Sequence, residues 1–370
     1  MQPAGFVRRF RFWSVLTVVS IYVLIMVGGI VRATGSGMGC PDWPKCFGQW
    51  VPPTDISQLP ADYKQVYTAQ RVAKNQKLAR TLASLGFKQV AGEIFAHPTQ
   101  YIETEFNATK TWIEYINRLV GALIGIFVFI TAVVALPYWQ RDKTVFWLAI
   151  GGWLLTGVQG WLGSLVVSTN LLPIMVTIHM GLALLIVAML LYAADRAQLA
   201  PVPDAELLKK PDDVLARKPA ASSLQPLLWL LLLVTFMQIV LGTQVREQID
   251  HISAAANYTG RESWVSQLGN VFKVHRSLSI LIVLLNGYAA SQLWPLAGQR
   301  LRKLVAATLS LIALEIVAGI TLAYLALPAL VQPIHLTLAT LLFGAQFLTL
   351  VAWHRAQVIT KQDRLRPAHA

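Results

Sequence analysis

Eight long apolar stretches dominate this sequence and restrict the folds open to the chain. They cover about residues 12–31, 115–137, 146–167, 174–194, 225–244, 272–294, 303–326 and 331–352. Each matches the roughly 20 residues that a helix needs to cross a bilayer core of about 30 Å. β-Barrel strands would alternate between apolar and polar residues, and these stretches do not. The sequence therefore predicts an all-α, polytopic membrane protein with eight transmembrane helices.

Basic residues lie between the apolar stretches and predict the topology. The net charge is +13, although only 13% of the residues are charged. The basic clusters are Arg8, Arg9 and Arg11; Arg141 and Lys143; Lys209, Lys210, Arg217 and Lys218; Arg300, Arg302 and Lys303; and Arg355, Lys361, Arg364 and Arg366. Eight spans bring all of them to one side, which the positive-inside rule makes cytoplasmic. We therefore expect both termini in the cytoplasm, and contact of the basic residues with membrane lipid rather than nucleic acid.

The N-terminus favours a bacterial cytoplasmic (inner) membrane. No Arg- and Ser-rich transit peptide precedes the first apolar stretch, and no clear cleavage site follows it. The first stretch therefore reads as an uncleaved transmembrane helix.

Two halves of the chain repeat each other. The segments TWIEYINRLVGALIGI (111–126) and VFKVHRSLSILIVL (271–284) each place a polar residue before an arginine near the start of a helix. A later helix of each half begins near a histidine, His179 or His335. The polar residue and the histidine are 62 residues apart in the first half and 60 in the second. This constant spacing indicates an internal duplication, and four spans per half make the repeats parallel.

The duplication divides the chain into three parts. Residues 1–197 form an N-terminal four-helix half with a long outer loop, 33–113, whose amphipathic segments predict short helices at the outer surface. Residues 198–224 contain four prolines and mixed charges, which predict a cytoplasmic linker. Residues 225–370 form the C-terminal half. We therefore expect two tandem, pseudo-symmetric four-helix bundles.

Three histidines lie inside apolar helices, near the outer ends of spans four, six and eight. They are His179, His275 and His335. Ionisable residues at membrane depth are costly and usually face the interior of a bundle. Two imidazoles on facing helices of a four-helix bundle are a common geometry for haem iron. The alternative is that each histidine makes an ordinary hydrogen bond between helices.

The two halves differ at one ligand position. Asn117 in the first half matches His275 in the second, and an amide is a poor axial ligand for iron. The sequence therefore predicts a permanently held haem in the second half and a less tightly ligated haem in the first. Glu114 lies one turn before Asn117, so both can face one pocket, where a carboxylate could handle protons. The alternative is an interfacial Glu114 paired with Arg118.

Arginines and cysteines lie near the same membrane level. Arg32, Arg118, Arg246 and Arg276 can form bidentate bonds with carboxylates, such as haem propionates, or can extend to lipid phosphates. The only two cysteines, Cys40 and Cys46, lie in the first outer loop, where an oxidising exterior permits a disulfide. Such a bond could be a plain loop staple or a redox-active pair.

Several of these segments resemble the haem A synthase family. They are GGIVRATGSGMGCPDWPKCFGQWVPP (28–53), EYINRLVG (114–121), QGWLGSLVVS (159–168) and the helices that carry the three histidines. The resemblance implies an eight-helix protein that oxidises a ring methyl of haem O to a formyl group, through an alcohol and a gem-diol. It also implies that His275 and His335 hold a haem b cofactor.

The same resemblance implies roles in the first half. His179 would ligate the iron of the substrate haem beside Arg118, and Glu114 with Asn117 would form the catalytic site. The cysteines match the family's outer-loop pair, which shapes the substrate site or relays electrons. A haem O synthase and a terminal oxidase are implied as partners, and a homo-oligomer is left open.

Asn117 departs from the family pattern, because many members carry histidine at this position. A substrate iron held by His179 alone, or an inactive enzyme, are the two consequences; we favour an active variant. A haem-b electron-transfer protein without catalytic activity is the main alternative. A transporter would also explain the duplicated halves, but not the shared level of the histidines or the cysteine loop.

Overall fold

A computed structural model describes residues 5–94, 102–103, 105–197, 224–256 and 258–365. Its α-helices in these ranges are α1 (Gly5–Ala33), α2 (Tyr63–Ser84), α3 (Lys88–Glu93), α4 (Ala108–Val134), α5 (Lys143–Ser168), α6 (Pro173–Ala197), α7 (Leu224–Ala255), α8 (Asn270–Leu293), α9 (Gln299–Tyr324) and α10 (Val331–Leu365). Short 3-10 turns lie at Ile56–Gln58, Leu136–Gln140, Arg261–Ser263 and Val265–Gln267. Residues 198–223 of the predicted linker, with its basic cluster, lie outside the described residues, and the last predicted linker residue, Leu224, begins α7.

The helices confirm the predicted polytopic membrane fold. Seven helices in the described ranges are long and apolar enough to cross a membrane. An eighth span is obtained when α8 is counted with the 3-10 segment Arg261–Gln267, which meets it at 81°. The predicted spans are therefore present. The fifth is longer than predicted, because α7 continues past residue 244 to Ala255.

Each half packs as a ring of four helices. In the N-terminal half α1, α4, α5 and α6 contact one another in that cyclic order, and α7, α8, α9 and α10 do the same in the C-terminal half. The halves meet where α1 packs on α10 and α6 packs on α7, with α6 and α10 in contact between them. This arrangement is the one expected of two parallel repeats. Gly29 permits the α1–α10 approach, because a β-carbon there would lie 2.8 Å from Cβ of Pro333.

Helices α2 and α3 cover one end of the N-terminal half, which we call the loop face. Asn75 on α2 donates to the carbonyl of Ser168 at the end of α5 at 2.8 Å, so α2 is fixed to the bundle. Arg71 pairs with Glu103 at 2.7 Å, and both side chains are at most 3% exposed. Burial raises the pKa of the Glu103 carboxyl, and the Arg71 guanidinium opposes this shift. The loop predicted to contain surface helices is thus a folded layer with its own buried ion pair.

Replacing Arg71 with alanine should loosen this layer. The Glu103 carboxylate would remain buried without its partner, and breaking a buried ion pair in this way costs about 3–5 kcal/mol. We expect faster proteolysis within residues 54–94 of the detergent-solubilised protein, while the membrane bundle stays intact. Lys64→Ala is the matched control, because Lys64 pairs with Glu105 at the surface of the same layer and exposed pairs contribute little. Equal cleavage rates in the two variants would contradict the prediction.

The opposite face is tied together by Asp195 at the end of α6. This carboxylate is 3% exposed and pairs with Arg300 of α9 and, at 2.8 Å, with Arg355 of α10. Both arginines belong to the predicted basic clusters of the C-terminal half. Charges of opposite sign therefore join the two halves at the face away from the loop.

Candidate functional site

His275 and His335 face each other inside the C-terminal half. They lie on α8 and α10, which stand diagonally across the four-helix ring. Their ring centroids are 6.5 Å apart and the rings are inclined at 81°. Two imidazoles that bind one iron from opposite sides have centroids about 6 Å apart, because each metal–nitrogen bond is about 2 Å. The observed spacing suits a shared axial iron.

The surroundings of these rings also fit a haem. Each ring lies beside a glycine of a neighbouring helix. A β-carbon at Gly242 would lie 3.4 Å from Cε1 of His275, and a β-carbon at Gly319 would lie 3.7 Å from Cε1 of His335. The Nδ1 atoms of both rings are buried without a hydrogen-bond partner. In the described part of the chain, no group of three or more His, Cys, Asp or Glu side chains is arranged for a bare metal ion. A pair of imidazoles suits a metal whose other ligands come from a porphyrin.

A carboxylate accompanies only one of the two rings. Oε2 of Glu315, on α9, lies 2.8 Å from Nδ1 of His335, although the contact does not have hydrogen-bond geometry. His275 has no carboxylate contact, but its backbone carbonyl accepts a 2.9 Å hydrogen bond from Gln238 of α7. The two facing histidines of this half therefore have different neighbours.

The N-terminal half repeats this arrangement, but with Asn117 in place of the first histidine. His179 on α6 lies beside Gly163, where a β-carbon would be 3.5 Å from Cε1 of the ring, and its carbonyl accepts a 2.9 Å bond from Gln159. Asn117 on α4 has a buried Oδ1 without a hydrogen-bond partner. Gly28, which matches Gly242, has open space in front of it. In the N-terminal half the smaller side chain of Asn117 thus leaves open the space that the His275 ring occupies in the C-terminal half.

Glu114 points at the outer loop rather than standing free in the bundle. The carboxylate is 2% exposed. Its Oε2 accepts the backbone N–H of Cys40 at 2.8 Å, and its Oε1 accepts from Arg118 at 2.5 Å. Arg118 donates in turn to the carbonyls of Cys40 at 2.9 Å and Asp42 at 2.5 Å. Glu114 and Arg118 therefore hold the loop that carries the cysteines.

This segment, residues 36–50, which we call the cysteine loop, is itself tightly folded. The disulfide between Cys40 and Cys46 is present, and both cysteines are fully buried. Asp42 accepts the backbone N–H groups of Phe47 and Gly48 at 2.6 and 2.9 Å. Positive φ angles at Phe47 and Gly48 turn the chain back on itself. The loop is therefore compact and packs on the N-terminal turns of α4.

Gly39 sets how closely the cysteine loop approaches α4. A β-carbon at this position would lie 2.6 Å from the carbonyl oxygen of Lys110 and 2.8 Å from the backbone nitrogen of Thr111. These neighbours are backbone atoms, which cannot move aside as a flexible side chain can. Thr111 also donates to the carbonyl of Gly39 at 2.9 Å. Glycine is therefore required for the contact that brings Cys40 to Glu114.

An open cleft of about 1000 Å³ separates the two halves at the loop face. Arg32 and Lys110 line it from the N-terminal half, and Arg246 and Arg261 line it from the C-terminal half. Asp250 lies between two of these cations, 3.0 Å from Arg32 and 2.7 Å from Arg246. The cleft therefore carries these four cationic side chains beside the carboxylates of Glu93, Glu247 and Asp250, and Asp250 joins arginines of both halves.

The cleft is connected to the histidine pair. Arg246 also donates to Gln332, which lies one turn before His335 at the start of α10. Arg276 does not line the cleft; its side chain is exposed and its guanidinium lies 5.9 Å from the centre of the Phe272 ring. The structure thus brings Arg32 and Arg246 together, joins Arg118 to Glu114, and leaves Arg276 apart.

Sequence reasoning overlooked Glu315, Gln159 and the glycines beside the histidines. The offset of 156 residues that relates His179 to His335 also relates Gln159 to Glu315 and Gly163 to Gly319. The repeat therefore contained the signal. An acidic residue in the middle of an apolar helix was a second signal, since such residues usually serve a function.

Comparison with known proteins gives a consistent family match. A family model described as "Cytochrome oxidase assembly protein", COX15-CtaA, matches residues 11–84 and 88–347. A Heme A synthase of Shewanella oneidensis is 25% identical over 255 residues, which is 68% of this chain and 62% of that protein. One of Nitrosomonas eutropha is 27% identical, over 49% of this chain and 46% of the relative. One of Rhodospirillum centenum is 26% identical over 89% of this chain and 85% of the relative. The first two matches thus span less than two-thirds of the relatives' length.

Proposed function

Because the chain belongs to the COX15-CtaA family of cytochrome oxidase assembly proteins, we propose that it is a haem A synthase. It would be a membrane oxidoreductase that converts haem O to haem A, the activity by which its relatives are named. The observation that carries the proposal is the facing pair His275 and His335, repeated in altered form by Asn117 and His179. One half is suited to a resident haem and the other to an exchangeable one.

The C-terminal half would hold haem b through His275 and His335. The 6.5 Å spacing of the two rings and the glycines beside them support this assignment. When bound, haem b supplies one-electron redox chemistry, which accepts electrons released at the substrate. Gln238 fixes the backbone of α8 at His275.

The N-terminal half would bind haem O as substrate. His179 supplies one axial imidazole, and the open space before Gly28 leaves the opposite side of the site less filled. Haem that is held by one strong ligand can be released as product more readily than haem held by two. Arg32 and Arg246, which line the cleft, are the candidates for binding propionates, in competition with Asp250.

The reaction converts a ring methyl of haem O to a formyl group. Two successive hydroxylations give an alcohol and then a gem-diol, which loses water to leave the formyl group. Written with water as the oxygen source, the methyl group and one water yield the formyl group, four protons and four electrons. We assign proton handling to Glu114, which lies one turn before Asn117 on α4. Its pairing with Arg118 and Cys40 would couple proton handling to the position of the cysteine loop.

The membrane orientation is part of the same proposal. The loop face, with the disulfide, would lie on the outer side of a bacterial inner membrane, where disulfides persist. The opposite face, with Arg300 and Arg355, would be cytoplasmic under the positive-inside rule. A haem O synthase and a terminal oxidase would supply the substrate and receive the product.

Pigment extraction from the purified full-length chain tests the function. We expect haem B together with haem O or haem A, and conversion of added haem O to haem A in membranes. Haem B without any conversion would favour the electron-transfer alternative. A protein that stays colourless after haem supplementation would contradict both.

A further inference from the structure

We infer that Glu315 is a positioning residue that lowers the reduction potential of the haem held by His335. The inference rests on the proposed haem b site in the C-terminal half and goes beyond it, because it assigns the residue that sets the electron affinity of that site. Glu315 would do so by accepting the N–H of the imidazole on the side away from the iron.

The position of Glu315 carries the argument. Its Oε2 lies 2.8 Å from Nδ1 of His335, which is within hydrogen-bonding distance although the angle is not that of a hydrogen bond, so the bond would need a rotation of one of the two side chains. The Glu315 side chain is only 15% exposed. Because Nδ1 faces the carboxylate, Nε2 is the nitrogen left for a metal. Histidines that ligate metals usually donate their second N–H to a carboxylate, a carbonyl or water, and this partner fixes the ring and makes it a stronger donor.

The direction of the effect follows from charge. A carboxylate that accepts the N–H gives the imidazole more anionic character, and its own negative charge lies close to the metal. Both effects stabilise ferric more than ferrous iron, so the potential falls. The effect grows as solvent is excluded, and the side chain of Glu315 is only 15% exposed.

The repeat supplies an internal comparison. Gln159 occupies the position of Glu315 in the N-terminal half, and its Nε2 donates to the backbone carbonyl of His179 instead of approaching the ring. Among the described residues, Nδ1 of His179 and Nδ1 of His335 both lack a hydrogen-bond partner, but only Nδ1 of His335 lies 2.8 Å from a carboxylate oxygen. The duplication has therefore kept a carboxylate beside the imidazole only in the half assigned to the resident haem. A hydrogen bond that only joined two helices would not require glutamate in one half and glutamine in the other.

The test is a redox titration of haem b in full-length protein in detergent. In Glu315→Gln we expect the ratio of reduced to oxidised haem at a fixed applied potential to rise about tenfold, which is 59 mV for a one-electron couple. The low-spin ferric EPR signal should shift as well. Glu315→Asp keeps the charge and should stay closer to the parent protein. Gln159→Glu is the matched control and should leave the potential of haem b unchanged.

The outcomes separate this inference from the proposed function. If Glu315→Gln binds haem b with the parent's potential and EPR signal, Glu315 is only a tie between α9 and α10 and the inference is wrong. An equal shift in Glu315→Asp and Glu315→Gln would assign the effect to packing and also overturn it. If Glu315→Gln does not hold haem, the Asp variant decides: retention at a potential near the parent's supports the role of the charge, and loss or a large shift refutes it. A parent protein that binds no haem b at all would overturn the proposed function first.

Discussion

Haem b is expected to be lost from the purified protein when His275 or His335 is replaced by alanine. The two rings lie 6.5 Å apart across the C-terminal bundle, so each variant removes one of the two proposed axial ligands. Loss of even an outer partner of a metal ligand costs about 10–100-fold in affinity, so loss of the ligand itself should cost at least about 100-fold. The measurement is the haem b content of each purified variant, by pigment extraction and by the reduced-minus-oxidised spectrum.

A matched control separates ligand loss from general damage. His354 lies on α10 with His335, but it is exposed and lies toward the other end of the helix. His354→Ala should therefore retain a full complement of haem b. If the two buried-site variants also keep normal haem b spectra, the ligand assignment is wrong.

Removal of the Glu114 carboxylate is expected to abolish conversion of haem O while haem b remains bound. General acid–base groups contribute about 10²–10⁴-fold to rate, and Glu114 also accepts the N–H of Cys40 and pairs with Arg118. Glu114→Ala should therefore lower conversion at least about 100-fold. The measurement is haem A formed from haem O by membranes that contain equal amounts of each variant.

A second variant distinguishes the two roles of Glu114. Gly39→Ala leaves the carboxylate in place but forces the cysteine loop away from α4, because its β-carbon would lie 2.6 Å from the carbonyl oxygen of Lys110. If Glu114 acts directly on protons, Glu114→Ala should convert haem O much more slowly than Gly39→Ala does. Similar losses in both variants would show that Glu114 acts by holding the loop. Full activity in Glu114→Ala would exclude either role.

Helical periodicity and the repeat predicted much of the site. The spacing of the histidines placed His275 and His335 at one level, and their rings do face each other. The only two cysteines lie six residues apart, and they form the disulfide that the sequence permitted. These features depend on short spacings and on the regular geometry of helices, which sequence reasoning handles well.

The partners of the charged residues could not be predicted in the same way. Glu114 and Arg118 lie on one face of α4, but their further partners, the backbone groups of Cys40 and Asp42, are more than 70 residues away in the chain. Arg118 was predicted beside the substrate haem, and its contacts with the cysteine loop could not be foreseen from the sequence. Arg276 follows His275 in sequence, yet its side chain is exposed. Neighbouring residues on a helix point in directions about 100° apart, so adjacency does not imply a shared site.

The sequence alone determined that this chain is a helical membrane protein, and it predicted two parallel halves with imidazoles at one level. Hydrophobic length, charge between spans and constant spacing are all local or periodic properties, and the bilayer restricts what they can form. Only the tertiary structure decided which group each carboxylate contacts. It joined Glu114 to the cysteine loop, Asp250 to arginines of both halves, and Glu315 to His335. Those choices depend on how helices distant in sequence pack, because only packing brings such groups within hydrogen-bonding distance.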